Sequence, residues 1–115
     1  MKFMCLVLID AELAKTIDWE AIGTESFDYD VSLFRDQVYV TAEALEGVQT
    51  ARTVRVRKGE AIVTDGPFME TREHVAGFIL VEARDFDHAL DIAQGIPLAR
   101  YGAVEVRPVL GQGAG

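Results

Sequence analysis

The residues best suited to chemistry gather around one turn. Asp65-Gly66-Pro67-Phe68 is followed closely by Glu70, Arg72 and His74. A carboxylate whose pKa is raised by burial or by a neighbouring acid works as a general base, and Glu70 can converge on Asp65 if the segment curls. Arg72 offers a planar fork of donors for a substrate carboxylate or phosphate, and His74 can carry a proton. Each has a structural use as well. An aspartate ahead of Gly-Pro bonds backbone N–H groups and fixes a turn. Glu70 can be a solvated loop acid, Arg72 can pair with a local acid, and His74 can be a surface or packing residue ahead of a strand. Phe68 is either a core plug or dimer contact or a stacking surface for a planar ligand. Tyr101, just before Gly102, is placed to line a pocket with its hydroxyl. The candidate set is therefore Asp65 and His74 as catalytic groups, with Glu70, Arg72, Phe68 and Tyr101 binding the ligand.

No metal or cofactor is expected beside them. A metal site needs at least three clustered ligands, and the two histidines, His74 and His88, lie far apart without a paired carboxylate pattern. The single cysteine, Cys5, sits in an apolar run, so neither a disulfide framework nor a cysteine-based zinc cluster can form; it reads as a small buried hydrophobe. Acids outnumber bases, 19 to 11, for a net charge of −8, which repels phosphate backbones. Nucleic acid is not an expected partner. Arg52, Arg55, Arg57 and Lys58 form a local basic cluster; alternation puts Arg55 and Arg57 on one face of a strand and Val54 and Val56 on the other. That cluster either protects a sheet edge or recognises an anion. Met1 to Ile9 is broken by Asp10 before it can resemble a signal segment, and no stretch reaches the roughly 20 apolar residues a membrane span requires. A cytoplasmic protein without membrane contact is expected.

These residues must be positioned by a chain of 115 residues, half of them apolar, which is enough for one core. Residues 2–9 read as a central strand covered on both faces. The stretch 11–36 carries Trp19, Ile22, Val31 and Phe34 at spacings compatible with one helical stripe, although Gly23 and several acids lower its propensity. Residues 37–45 and 52–57 alternate as strands. Lys58-Gly59 joins 53–57 to 60–64 as a hairpin, and Asp65-Gly66-Pro67 ends it. Residues 75–82 form another apolar strand. Asp85 is an N-cap, with Phe86, Ala89, Leu90 and Ala93 on one helical face and Gly95 as the stop. Residues 103–109 alternate again, with Pro108 suited to a strand end. This order predicts a single α+β domain over 1–110, a ferredoxin-like split βαβ with an inserted β-hairpin, followed by a flexible tail at 111–115. One sheet with both helices on one side leaves a face open, which a homodimer would cover.

The run Thr64-Asp-Gly-Pro-Phe-Met-Glu-Thr-Arg-Glu-His-Val-Ala-Gly-Phe and the close Tyr101-Gly-Ala-Val-Glu-Val-Arg-Pro-Val carry a likeness, as do the opening Met1-Lys-Phe-Met-Cys-Leu-Val-Leu-Ile and the Thr53-Val-Arg-Val-Arg strand. The chain resembles the DGPF branch of the YCII-related family over most of its length. The resemblance implies a ferredoxin-like monomer, a dimeric α+β barrel and a pocket between helix and sheet near the DGPF turn. In the wider family a histidine in the first helical region is suspected of acid-base chemistry with an aspartate. No histidine precedes His74 here, so that dyad does not carry over, and Asp65 alone matches a motif position. Residues 44–51 also depart from the glycine- and proline-rich linker common in the branch. Two functions are compatible with this: a small cofactor-independent enzyme using acid-base chemistry on a small molecule, or a non-catalytic module that binds a small molecule or regulates a partner. The association of this branch with sigma-factor genes bears on the second.

Overall fold

The computed structural model describes residues 1–69 and 71–112. Its elements run β1 (Lys2–Asp10), α1 (Ala11–Ala14), α2 (Trp19–Arg35), β2 (Tyr39–Ala44), β3 (Arg52–Arg57), β4 (Glu60–Asp65), β5 (Glu73–Glu82), α3 (Phe86–Gln94) and β6 (Gly102–Pro108), with 3-10 turns at Val48–Thr50 and Pro97–Tyr101. A four-stranded sheet has the order β2-β5-β1-β6, with every neighbouring pair antiparallel, and β3-β4 form a separate two-stranded sheet. This is the α+β ferredoxin-like arrangement with the inserted hairpin that the element order predicts.

The alternation of β1 builds the core. Phe3, Cys5, Val7 and Ile9 are buried on the face that meets the helices, where Leu33, Ile79, Val81, Ala89 and Ile92 close around the first three. Burying a side chain such as Phe3 contributes about 1.5–3 kcal/mol, and its ring meets Phe86 edge-on at 5.2 Å. Cys5 is fully buried among these groups and burial pushes its thiol up to about 11, so it serves as a small hydrophobe. Ile9, Ile17 and Ile22 form a second cluster, with Ala76, Leu98 and Tyr101 packed against it.

Aspartates start all three helices. Asp10 caps α1, Asp18 accepts from the Ala21 N–H at 3.1 Å, and Asp85 accepts from the His88 N–H at 2.8 Å. His88 returns the favour through Nδ1, which accepts from the Arg84 N–H at 3.0 Å, so this histidine completes a reciprocal cap. α3 begins after Asp85 and ends at Gly95, as the pattern predicts. α2 departs from it. Its buried residues are Ile22 and Leu33, whereas Trp19, Val31 and Phe34 are exposed. The helical period admits two adjacent apolar stripes here, and the sheet selects the one containing Ile22, Tyr29 and Leu33.

The whole measures 45 × 41 × 18 Å; its thin dimension is that of one sheet and one helix layer. Met4, Leu6 and Leu8 therefore form a second row on β1, facing away from the helices and paired with Leu80, Phe78 and Val75. No helix of the described residues is long and apolar enough to cross a membrane. Of the expected tail, residues 113–115 lie outside the described residues, while Gln112 is held to β1, its Nε2 donating to the Lys2 carbonyl at 2.8 Å.

Two close approaches depend on glycine. At Gly77 an added Cβ would stand 2.6 Å from the Glu43 carbonyl oxygen, and at Gly102 it would run into the Leu8 carbonyl. Gly102 has extended backbone, φ 176°, so space and not dihedral angle demands glycine there. Replacing Gly102 by alanine forces β6 away from β1 and should cost roughly 1–3 kcal/mol. The expected readout is a lower urea midpoint with unchanged slope; a midpoint equal to the parent's would show that β6 can yield without loss.

Candidate functional site

A cavity of about 430 Å³ opens between α2 and the sheet. Its floor is Val7 and Ile79 with Ala42, Ala44 and Gly77, its roof is the α2 face from Trp19 to Asp30, and Ile96, Pro97 and Leu98 close one end. The floor exists because small residues meet there. Ala44 pairs with Gly77, and the missing side chain of Gly77 lets β2 run close to β5. A register shift between Val7 and Leu8 then displaces Ala76 toward α2.

Among the lining side chains, Asp30 is the charged group that faces this space. Glu43 also borders the cavity, but it pairs with Phe78, which in turn pairs with the outward residue Leu6. Alternation thus turns the Glu43 side chain to the other face of the sheet. Burial raises the Asp30 carboxyl above its ordinary value, and none of the ion pairs among the described residues involves it. Tyr29 stands next to it with its hydroxyl committed, donating to the Ile92 carbonyl at 2.5 Å, and burial likewise raises its pKa. Ser26 lies one turn before Asp30 on the same wall. At the outer side of α2, Glu25 and Arg100 make two parallel bonds at 2.8 and 3.2 Å, which hold the helix to the 3-10 turn closing the cavity.

The residues singled out from sequence lie elsewhere. Asp65 ends β4 with its side chain 97% exposed, 3.8 Å from Arg52 Nε, and the turn after it is held by backbone: the Gly66 N–H donates to the Ala51 carbonyl and Thr53 Oγ1 donates to the Gly66 carbonyl, both at 2.8 Å. Gly66 adopts φ 94°, a conformation that suits glycine. Phe68 is 67% exposed, with the Arg55 guanidinium 4.9 Å from its ring centre; it is not a core plug. Glu70 lies outside the described residues. Arg72 pairs with Asp10 at 2.7 Å. Burial works against ionisation of Asp10, but the Leu13 and Glu12 amides and then Arg72 outweigh it, and its carboxyl lies below the ordinary value. His74 sits opposite Ile9, and Tyr101 packs on the Ile9–Ile17–Ile22 cluster beneath Arg100. Of these, none of the described residues lines the cavity. A helix–sheet cavity is therefore present, and none of the described residues of the DGPF turn lines it. Asp30 was not among the sequence candidates. Its signal was an acid flanking the stripe of Ile22, Ser26, Tyr29 and Leu33.

The raised Asp30 value has a consequence for stability. The folded state holds this proton more tightly than the unfolded chain, so stability falls as pH rises from the ordinary carboxylate range through the raised value. Asp30→Asn removes that loss. The variant should melt above the parent at pH 7, with the difference closing below about pH 4; a lower melting point at pH 7 would mean that the carboxylate makes a stabilising contact.

Comparison with known proteins agrees with this architecture. The sequence profile of the YCII-related domain matches residues 1–111. The uncharacterized protein R00369 of Rhizobium meliloti (strain 1021) is 46% identical over 61 residues, a segment that covers 51% of this chain and 49% of that protein. The chain thus spans about half the length of this curated relative. With the domain profile matched almost from end to end on a ferredoxin-like α+β fold, the chain belongs to the YCII-related family.

Proposed function

We propose that this YCII-related protein, of the DGPF branch by its 64–78 motif, takes a small molecule into the cavity beneath α2 and that Asp30 exchanges a proton with it. The observation that carries this reading is a half-buried carboxyl facing an otherwise apolar cavity, its pKa raised by burial, an arrangement that favours proton exchange. Such a site needs no cofactor. Catalysis by Asp65 and His74 is less favoured, because the Asp65 side chain is 97% exposed on the hairpin and neither residue lines the cavity. A second reading, a module that binds the molecule and regulates a partner without turning it over, is favoured by the absence of histidine and a second carboxylate side chain from the described cavity face. The link of the DGPF branch to sigma-factor genes is in keeping with it.

Two variants test the location. The Cβ position of Gly23 meets nothing within 4 Å and Gly23 lines the cavity, so Gly23→Leu fills the cavity while improving helix propensity by about 0.5–1 kcal/mol. Across a panel of small aromatic and polar metabolites, compounds that raise the melting point of the parent should lose their effect in Gly23→Leu and keep it in Asp65→Asn. The reverse pattern would return the site to the DGPF turn.

The homodimer is proposed to form through the outward row of Met4, Leu6 and Leu8 with Phe78 and Leu80, an apolar face on which neither α2 nor α3 packs. Sedimentation at micromolar concentration should give a dimer, and Leu6→Lys a monomer. A parent protein that sediments only as a monomer would exclude this assembly.

A further inference from the structure

We infer that the cavity beneath α2 selects a ligand with a protonated amine on an apolar, preferably aromatic, body, and that Asp30 is the residue that recognises the ammonium group. This rests on the cavity being the ligand site and adds the chemical class. The argument is one of charge inside an apolar shell. Among the cavity-lining residues none is lysine, arginine or histidine, so an anionic ligand would bury its charge against Asp30 without a partner, which is strongly unfavourable. An ammonium group meets the opposite situation, since its charge-assisted hydrogen bonds to the carboxylate replace the water both groups lose.

The walls fit the rest of such a molecule. Trp19 and Phe27 lie on the α2 side, with Ile79, Ile96 and Leu98 opposite and below. Both aromatic side chains are largely exposed, Phe27 by 69%, and both can stack on a ring or lend a π-face to a cation. Tyr29 does not compete for the ammonium, because its hydroxyl is bonded to the Ile92 carbonyl. The approach is biased in the same direction. α2 carries Glu20, Glu25, Asp28 and Asp30 against Arg35, and Glu25 holds Arg100 at the cavity's closed end. On a chain of net charge −8, this field concentrates cations near the mouth and repels anions.

The test uses three probes of one shape: 2-phenylethylamine, 2-phenylethanol and phenylacetate, titrated into the full chain by calorimetry at pH 7. The amine should bind about tenfold or more tighter than the alcohol, with phenylacetate weakest. In Asp30→Asn the amine should fall to the affinity of the alcohol, while the alcohol itself is little changed. Gly23→Leu should abolish binding of both. If phenylacetate binds as well as the amine, or the amine preference survives in Asp30→Asn, the ligand class is overturned while the cavity remains the site. If none of the three binds at millimolar concentration, or if Gly23→Leu leaves binding intact, the cavity reading falls and the class falls with it.

Discussion

The structure depends on β1 being paired along both edges while it is apolar on both faces. Its partners β5 and β6 come from the other half of the chain, so neither half can complete the sheet alone. The inward row, Phe3 to Ile9, fixes where α2 and α3 must lie, because only a helix layer covers it. The outward row, Met4 to Leu8, is the complementary result: a two-layer domain has nothing left to put there. One strand thus imposes both the core and the open face.

The cavity is a local departure from the same packing. Close packing of α2 on the sheet would need bulky residues along β2 and β5, but Ala42, Ala44, Ala76 and Gly77 stand where they would project. Small side chains bring β2 and β5 together and leave volume above them. Trp19 and Phe27 border this space without filling it, and both stay largely exposed. The helix is held over this space from both directions, by Leu33 and Tyr29 in the main core and by the Glu25–Arg100 pair at the closed end. That support keeps the cavity open and leaves Asp30 half-buried, in no ion pair among the described residues.

The hairpin follows different rules. β3 and β4 pair only with each other in the described sheets, and Val54, Val56 and Val63 are each about 60% exposed. Its stability comes from cross-strand pairs such as Val54–Val63 and from the turn. Lys58 and Gly59 both adopt positive φ, 52° and 78°, as a two-residue hairpin turn requires. Basic residues gather on this arm while the body around α2 is acidic, so the two parts of the molecule present opposite charge. The DGPF turn belongs to the arm, where it fixes chain direction between β4 and β5 through Gly66.

What the sequence determined by itself is whatever neighbouring residues settle between them. The alternation of β1, β3 and β6, the Lys58-Gly59 turn, the Asp85 cap and the stop at Gly95 are local, and they were legible together with the order of elements that defines a ferredoxin-like sheet. The 64–78 motif likewise pointed to the YCII-related family. Tertiary structure decided the cavity. Val7, Asp30, Ala44, Gly77 and Leu98 are scattered along the chain, and no spacing between them signals a cavity. It also decided which side of α2 was buried, leaving Val31 and Phe34 exposed while Trp19 borders the cavity. Arg72 illustrates the same limit: its partner is Asp10 at the far end of β1, an acid brought to it by the β1–β5 register. A carboxyl's basicity comes from the water excluded around it, and that exclusion is a collective property of packed elements which no single segment carries.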